Sequence, residues 1–237
     1  MNEIISKEDI IKSNKYFCDA MKLYDFNKSK SFDFLEKSSE LNPQNSDILY
    51  NMGVIYSESF NFDKSIQCFE KALQISPKNE SILYNLANQY FLSNNFEKAL
   101  TGFEKLISQN SRALDALYNT AYIYMRIKKD YIKAIDYFKR VIKFDEINID
   151  ALFNLALCYS LNGNKQESSK IYEKLLKIVP DHFPACFNLA VLYKESDRKD
   201  KAIIMFRKYL SLPNKSEDKE QHKFIKYATT RLRELEK

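Results

Sequence analysis

Residues 50–56 read YNMGVIY, and four later stretches repeat the same pattern. They are YNLANQY from Tyr84, YNTAYIY from Tyr118, FNLALCY from Phe153 and FNLAVLY from Phe187. Each stretch has an aromatic residue first, asparagine second, a small residue fourth and tyrosine last. The five starts are separated by 34, 34, 35 and 34 residues, and a fixed spacing of this size indicates an array of stacked structural repeats.

The segment around the first stretch predicts two amphipathic helices. A first stripe with i, i+3, i+4, i+7 spacing comprises Leu49, Met52, Gly53 and Tyr56. A second stripe comprises Ser65, Ile66, Phe69, Ala72 and Leu73. Pro77 follows the second stripe, at a point where a helix cannot easily continue. The whole chain has only 3 glycines and 5 prolines in 237 residues, which favours helices with short connections over a β-rich fold.

The repeat resembles the tetratricopeptide repeat (TPR), a 34-residue unit of two helices. The residues of the family's pattern stand at Gly53 and Tyr56 in the first helix. In the second helix and directly after it, they stand at Ser65, Phe69, Ala72 and Pro77. The resemblance implies an all-α, right-handed α-solenoid of about six units plus a C-terminal capping helix. The predicted units are a degenerate first repeat at 7–45, clear repeats at 46–79, 80–113, 114–148, 149–182 and 183–216, and the capping helix at 217–237.

The pattern varies at the N-terminus and in the third clear repeat. Residues 7–45 keep Tyr16, Ala20 and Leu35 in a shortened form, which predicts an N-terminal cap for the stack. Ser6 is expected to cap the first helix of this unit. The repeat at 114–148 carries one extra residue near Lys128 to Asp130.

The last helix allows two interpretations. After Pro213 and the polar stretch NKSEDKEQ, one apolar stripe comprises Ile225, Ala228, Leu232 and Leu235. A single apolar stripe with charged outer faces predicts a lid on the last repeat. The alternative is that basic residues of this helix bind an acidic partner or a membrane surface, namely Lys223, Lys226, Arg231 and Arg233.

Little in the sequence indicates an enzyme. His182 and His222 are the only histidines, and no cysteine or carboxylate stands at metal-site spacing around them. Glycine-rich phosphate loops and nucleophile motifs are absent from the sequence, so no catalytic residue, metal or cofactor is expected. The cysteines are predicted to be buried free thiols, and they are Cys18, Cys68, Cys158 and Cys186. Without an apolar run of signal-peptide or membrane length, we expect a cytoplasmic protein.

The net charge of +5 lies in the C-terminal part of the chain. Residues 183–237 hold 13 Lys+Arg against 8 Asp+Glu, whereas residues 1–182 hold 24 against 24. This bias is well short of the basic stripe that a nucleic-acid-binding protein needs. We therefore expect neither a nucleic-acid partner nor membrane insertion.

The repeated asparagines point to a binding surface. At 100° per residue, Asn51 lies roughly 150° from the centre of the core stripe, on the side of Tyr50 and Val54. In the fold that the resemblance implies, this side lines a concave groove, and the pattern is similar to the asparagine ladder of O-linked N-acetylglucosamine transferases. A carboxamide has a donor and an acceptor for an extended peptide backbone. The candidate groove residues are Asn51, Asn85, Asn119, Asn154, Asn188, Tyr50, Tyr84, Tyr118, Phe153, Phe187, Asn88 and Tyr122.

The predicted function is a non-catalytic adaptor or chaperone-like scaffold that binds a protein segment of unknown identity. One alternative is a structural subunit of a larger complex or of a homodimer, docked through its groove or edge. A further alternative is an accessory to nucleic-acid machinery. Another is that the asparagine amides only satisfy neighbouring helices. A carboxylate clamp for chaperone tails is not expected, because the basic residues that some family members use for it are replaced by Tyr or Phe at the fifth repeat position.

Overall fold

A computed structural model describes residues 5–212 and 219–237 of the protein, with side chains for 5–212 and 222–237. Pro213 and most of the polar stretch after it lie outside the described residues, as do the first two residues of the predicted capping segment 217–237. The described residues contain α-helices, one π-helical turn and no β-strand.

The helices are arranged as consecutive pairs. They are α1 Lys7–Leu23, α2 Lys28–Leu41, α3 Ser46–Glu58, α4 Phe62–Ile75, α5 Glu80–Leu92, α6 Phe96–Gln109, α7 Leu114–Ile123, α8 Tyr131–Phe144, α9 Ile149–Leu161, α10 Lys165–Ile178, α11 Phe183–Glu195, α12 Lys199–Ser211 and α13 Lys219–Leu235. Each predicted repeat contains one pair, and α13 follows the last pair. The predicted all-α repeat fold is confirmed.

The chain forms two compact units, one up to Ala116 and one from Leu117. In the N-terminal unit, small residues let the two helices of a repeat approach each other closely. A Cβ added at Gly53 would lie 2.9 Å from the Phe69 ring, and one added at Gly102 would lie 2.7 Å from the Cβ of Ala87. The Ser65 hydroxyl donates to the Gly53 carbonyl at 2.7 Å. The small residues of the repeat pattern are therefore required by helix–helix distance.

In the C-terminal unit, the second helices bury the large residue of the pattern against the first helices. Phe138, Tyr172 and Phe206 are all fully buried. Helix α13 adds Ala228 to this core, and the rest of its predicted apolar stripe packs against the same cluster: Ile225, Leu232 and Leu235. The apolar stripe therefore packs on the last repeat, and the role of α13 as a lid stays a prediction.

The extra residue of the third clear repeat is absorbed where α7 ends. Residues Tyr124–Lys128 form a π-helical turn, and the backbone N–H of Lys129 bonds to the Tyr124 carbonyl five residues back. Lys129 then takes the left-handed conformation, with φ 54°. Asp130 caps α8 by accepting from the Lys133 N–H at 3.1 Å. A π-turn absorbs one inserted residue without breaking a helix, so the second helix still begins at a capped residue.

Polar side chains cap most of the helices. Ser6 accepts from the Asp9 N–H at 3.0 Å, which confirms the predicted cap of α1. Asparagines cap many later helices in the same way, among them Asn45, Asn79, Asn95, Asn148 and Asn164. In α11 the capping residue is His182, whose Nδ1 accepts from the Ala185 N–H at 3.2 Å. A histidine in this role makes the cap sensitive to pH.

We expect the C-terminal unit to lose stability as the pH falls through the titration of His182. Burial lowers the pKa of this imidazole, and only its neutral form can accept the Ala185 N–H. Because the folded pKa lies below the unfolded value, the unfolded chain binds more protons in acid. The cap's contribution of about 1 kcal/mol is therefore present above about pH 6.5 and is lost as the pH falls.

The measurement is the melting temperature between about pH 7.5 and pH 5, a range that spans histidine titration. His182→Asn, which reproduces the caps of the other repeats, should flatten this dependence. Asn164→Ser, which exchanges one neutral cap for another at the start of α10, should leave it unchanged. Equal pH dependence in His182→Asn and the natural protein would contradict the prediction.

The prediction of four buried thiols is confirmed for two cysteines and is wrong for the exposed Cys18. Cys158 and Cys186 are buried and Cys68 is half-buried, but Cys18 is exposed. Cys18 lies on α1, the first described helix, whose core side carries Ala20. No preceding repeat is described that could cover the other side of α1.

Candidate functional site

The predicted site residues lie on the first helix of each clear repeat, and we call the side that carries them the first-helix face. In the N-terminal unit this face comprises Tyr50 and Asn51 on α3, and Tyr84, Asn85 and Asn88 on α5. In the C-terminal unit it comprises Tyr118, Asn119 and Tyr122 on α7, Phe153 and Asn154 on α9, and Phe187 and Asn188 on α11. All of these residues except Asn154 are half-buried.

The aromatic row of this face is less open than the sequence predicts, because each ring packs on the second helix of its own repeat. The ring centroids of Tyr50 and Phe69 are 5.7 Å apart, and those of Tyr118 and Phe138 are 5.5 Å apart. The same contact recurs as Tyr84–Phe103 at 5.9 Å, Phe153–Tyr172 at 5.8 Å and Phe187–Tyr209 at 5.2 Å. The row is thus partly core and leaves only one side of each ring to a ligand.

Three of the asparagines tie a repeat to the one before it. Asn85 Nδ2 donates to the Tyr50 hydroxyl at 3.2 Å, and Asn154 Nδ2 donates to the Tyr118 hydroxyl at 2.8 Å. Asn188 Nδ2 donates to the Tyr172 hydroxyl at 3.0 Å. Asn51 Nδ2 instead donates to the Asp47 carbonyl of its own helix at 2.7 Å. The amide nitrogens of Asn85, Asn154 and Asn188 therefore have a structural role.

Asn154 is 8% exposed and so is buried, although the helical wheel places its position away from the core stripe. The wheel considers only the contact between the two helices of one repeat. It does not include the preceding first helix, whose Tyr118 covers this position through the hydrogen bond to Asn154. The expectation of an exposed asparagine is wrong here.

Tyr172 is a member of this network that the sequence analysis missed. Asn188 cannot bond to the first aromatic of the preceding repeat, because Phe153 has no hydroxyl group. In that repeat the pattern is reversed, with Phe on the first helix and Tyr at the buried position of the second. The Tyr172 hydroxyl replaces the missing acceptor, and burial raises its pKa, so that it stays protonated. The exchange of Tyr and Phe within this one repeat was the sequence feature that could have revealed the role of Tyr172.

The hydrogen bonds determine what the face can offer to a ligand. Asn85 Nδ2 also donates to the Ser81 carbonyl at 2.9 Å, so both of its N–H groups are used and its Oδ1 remains as an acceptor. The Tyr50 hydroxyl accepts from Asn85 and keeps its own hydrogen to donate. Burial raises the pKa of Tyr118, with a further contribution from Asp150, so this hydroxyl also stays a donor. Each pair presents one acceptor and one donor side by side.

The first-helix face of the N-terminal unit contains a pocket of about 280 Å³. Tyr50, Tyr84 and Asn85 line it, and Glu80 and Asp115 add carboxylates. Asn110 Nδ2 donates to Glu80 Oε2 at 2.8 Å. No lysine or arginine is among the described residues that line the pocket.

Models of the tetratricopeptide repeat match residues 46–79, 68–101, 115–144, 149–182 and 183–216. These ranges together span more than half of the chain. The chain belongs to the tetratricopeptide repeat family. Four of the five matched ranges follow the repeats predicted from the sequence, and the model at 68–101 extends across two of them.

Several solved TPR structures share the fold of this chain. A tetratricopeptide repeat protein from Parabacteroides merdae is 21% identical, with a TM-score of 0.73, 94% of this chain and 90% of that chain covered. YrrB, described as a TPR protein with an unusual peptide-binding site, is 19% identical, with a TM-score of 0.69. The match covers 83% of this chain and 97% of YrrB. MamA is 24% identical, with a TM-score of 0.66, and the match covers 70% of this chain and 90% of MamA. No curated protein matches the sequence.

Membership of the TPR family makes this chain a protein–protein interaction module. Across residues 5–212 and 219–237, no helix combines the length and the apolar character needed to cross a membrane. The same described residues contain no group of three or more His, Cys, Asp or Glu side chains placed to hold a metal ion.

Proposed function

We propose that this TPR protein is a non-catalytic adaptor whose first-helix face holds an extended segment of another protein. The observation that carries the proposal is the repeated asparagine–tyrosine pair, which presents an amide oxygen and a hydroxyl hydrogen together. An extended backbone alternates N–H donors and C=O acceptors along its length. Within each compact unit, such a pair therefore complements the backbone of a segment whatever its side chains.

The half-buried rings beside these pairs support the same function. Tyr118, Phe153 and Phe187 are fixed by packing on second helices, so they would lose little conformational freedom on binding. Rigid aromatic residues are also enriched among the residues that contribute most to protein interfaces. The fold shared with YrrB, a TPR protein with a peptide-binding site, agrees with this function. The four free cysteines favour a reducing compartment such as the cytoplasm.

The test is site-specific photo-crosslinking in native lysate. A benzoylphenylalanine at Tyr122 or Asn88, both on the first-helix face, should crosslink to a short segment of a partner, which mass spectrometry of the digested adduct locates. The same group at Lys71, an exposed position on α4, is the matched control and should not capture that segment. Crosslinks from Lys71 equal to those from Tyr122 would contradict the proposal. A stoichiometric folded subunit that also crosslinks from Lys71 would favour the structural-subunit alternative.

We also expect negligible binding to chaperone tail peptides that end in a free carboxylate. The fifth repeat position carries an aromatic residue throughout, and no sixth position carries arginine. A carboxylate would therefore lack the charge-assisted hydrogen bonds that paired cations supply. Calorimetry with such a peptide and its amidated form should give no measurable heat for either. Micromolar affinity for the free acid alone would contradict this prediction.

A further inference from the structure

The pocket on the first-helix face of the N-terminal unit carries charge of one sign. Its acidic side chains are Glu80, the first residue of α5, and Asp115, in the first turn of α7. Lys78 and Arg112 are close to these residues in the sequence, but neither of them lines the pocket. We call this cavity the carboxylate pocket. Among the described residues that line it, two have a carboxylate and none has a basic side chain.

The Glu80 carboxylate is oriented by the residue at the end of α6. Asn110 donates from Nδ2 to Glu80 Oε2 at 2.8 Å, and its own Oδ1 accepts the backbone N–H of Arg112 at 3.0 Å. The second carboxylate oxygen, Glu80 Oε1, accepts no hydrogen bond from any described residue. Glu80 therefore offers the pocket an acceptor whose position is fixed before a ligand binds.

The neutral groups of the carboxylate pocket also favour a positive charge. Asn85 uses both of its N–H groups, one on the Tyr50 hydroxyl at 3.2 Å and one on the Ser81 carbonyl at 2.9 Å, so its Oδ1 is left for a ligand. The rings of Tyr50 and Tyr84 line the same pocket, and each has one side packed on a second helix. The face of an aromatic ring attracts a cation through its quadrupole. Carboxylates, an amide oxygen and aromatic rings thus meet in one cavity.

The rest of the lining is apolar. Leu106 and Ala116 are buried, and Ala113 and Leu114 are half-buried. Sites for whole small molecules usually enclose about 300–1,000 Å³. A cavity of about 280 Å³ lies just below this range and suits a single side chain. Lysine and arginine have an apolar stem that packs along apolar surface and a charged end that reaches polar groups, so they match both parts of the lining.

The two carboxylates are not a general property of the repeat pattern. Glu80 is the one acidic residue at the first position of a clear repeat, where the other repeats carry Ser46, Leu114, Ile149 and Phe183. The asparagine of the motif, in contrast, is present in all five clear repeats. The carboxylate pocket therefore selects at one point along a bound segment, whereas the asparagines recur along it.

We propose that the carboxylate pocket binds a lysine or arginine side chain of the segment that the first-helix face holds. This inference rests on the proposed peptide-binding function and adds to it a requirement for a cation at one position of the segment. A side chain fits the pocket better than a metal ion, because calcium takes about 6–8 oxygen ligands. The described residues contain no group of three or more side chains placed to hold a metal.

The test uses the full chain and four fluorescein-labelled peptides of about ten alternating Ser and Ala residues, with Arg, Lys, Gln or Glu at one central position. Fluorescence anisotropy at about 0.15 M salt, where exposed charges are screened beyond about 8 Å, measures their affinities. The Arg and Lys probes should bind at least about tenfold more tightly than the Gln probe, because charge-assisted hydrogen bonds are roughly twice as strong as neutral ones. The Glu probe should bind more weakly than the Gln probe.

The Gln probe tests backbone binding, and the difference between the probes tests the pocket. Equal affinities of the Arg, Lys and Gln probes would overturn the present proposal and leave the proposed peptide-binding function intact. Tighter binding of the Glu probe would overturn it as well. If none of the four probes binds, both proposals are wrong.

A charge-removing variant ties the preference to the pocket. Glu80→Gln with Asp115→Asn keeps the shape of both side chains and an acceptor for Asn110. It should reduce the preference for Arg over Gln to within about twofold, because the charge-assisted hydrogen bonds are lost, and it should leave the Gln probe unaffected. The matched control, Glu36→Gln with Glu40→Gln, makes the same change in net charge at exposed positions of α2 and should keep the preference. An equal loss of preference in the two variants would contradict the proposal, since the preference would then come from the net charge of the protein.

Discussion

Deleting residues 217–237 should lower the melting temperature of the protein by on the order of 10 °C and reduce its solubility. The deletion removes the cover of Phe187, which packs against Phe224 and Tyr227 of α13 with centroids 5.0 and 5.8 Å apart. Burying one large apolar side chain contributes about 1.5–3 kcal/mol. Several such side chains lose their contacts together, and each kcal/mol shifts the melting temperature by about 2–4 °C in a chain of this size.

Substitutions at a buried and at an exposed position of α13 distinguish loss of the cover from a change at the outer side of the helix. Ala228→Glu puts a charge at a fully buried position and should reproduce much of the thermal effect of the deletion. Lys226→Ala changes an exposed position of the same helix and should leave the melting temperature unchanged. Calorimetric melts of the three proteins make the comparison. A truncated chain with the same melting temperature and solubility as the full-length protein would show that α13 is not the lid.

Much of the fold was predictable because the repeat imposes the same close contact several times. Gly53 must be small since the Phe69 ring would lie 2.9 Å from a Cβ there, and the 34-residue spacing repeats this constraint in each unit. The extra residue of 114–148 was locatable from the change in spacing. Its form was not, because the spacing does not say whether the helix or the loop takes up the extra residue. The structure uses a π-turn at Tyr124–Lys128. The left-handed residue after it, Lys129, has a counterpart in each of the other clear repeats, at Phe60, Asn94, Gly163 and Asp197.

The candidate site was predictable in outline and not in its contacts. A helical wheel describes one helix against its partner, whereas Asn85 and Asn154 bond to tyrosines 35 and 36 residues earlier in the chain. The burial of Asn154 depends on that preceding repeat and cannot be read from its own helix. The exchange of Tyr and Phe between Phe153 and Tyr172 is visible in the sequence, but only the structure shows that the Tyr172 hydroxyl accepts from Asn188.

Replacing both Asn119 and Asn154 with alanine should weaken binding of the partner segment by roughly 30-fold to 140-fold. This range assumes one or two hydrogen bonds from Asn119 to the ligand and one from Asn154 through its Oδ1, because the Asn154 amide nitrogen is already bonded to Tyr118. Each bond contributes about 1 kcal/mol net, and each 1.4 kcal/mol is about tenfold in affinity. The free energy of unfolding should change by less than the free energy of binding. The lost bond from Asn154 to the Tyr118 hydroxyl costs about 1 kcal/mol, and alanine returns up to about 0.7 kcal/mol per site through its better helix propensity.

Because Asn154 contributes to the fold, its replacement alone cannot separate a ligand contact from a structural one. Tyr118→Phe is the matched control, since it removes the same hydrogen bond to Asn154 and leaves both amides in place. If the amide oxygens bind the segment found by crosslinking, Tyr118→Phe should lose only the hydroxyl's own contribution, about tenfold at most for one hydrogen bond, while the double alanine variant loses far more. If the amides serve only the stack, the two variants should lose similar stability and bind equally well. Paired thermal melts and binding titrations of the three proteins therefore decide whether the asparagines of the C-terminal unit contact a ligand or only their neighbouring repeats.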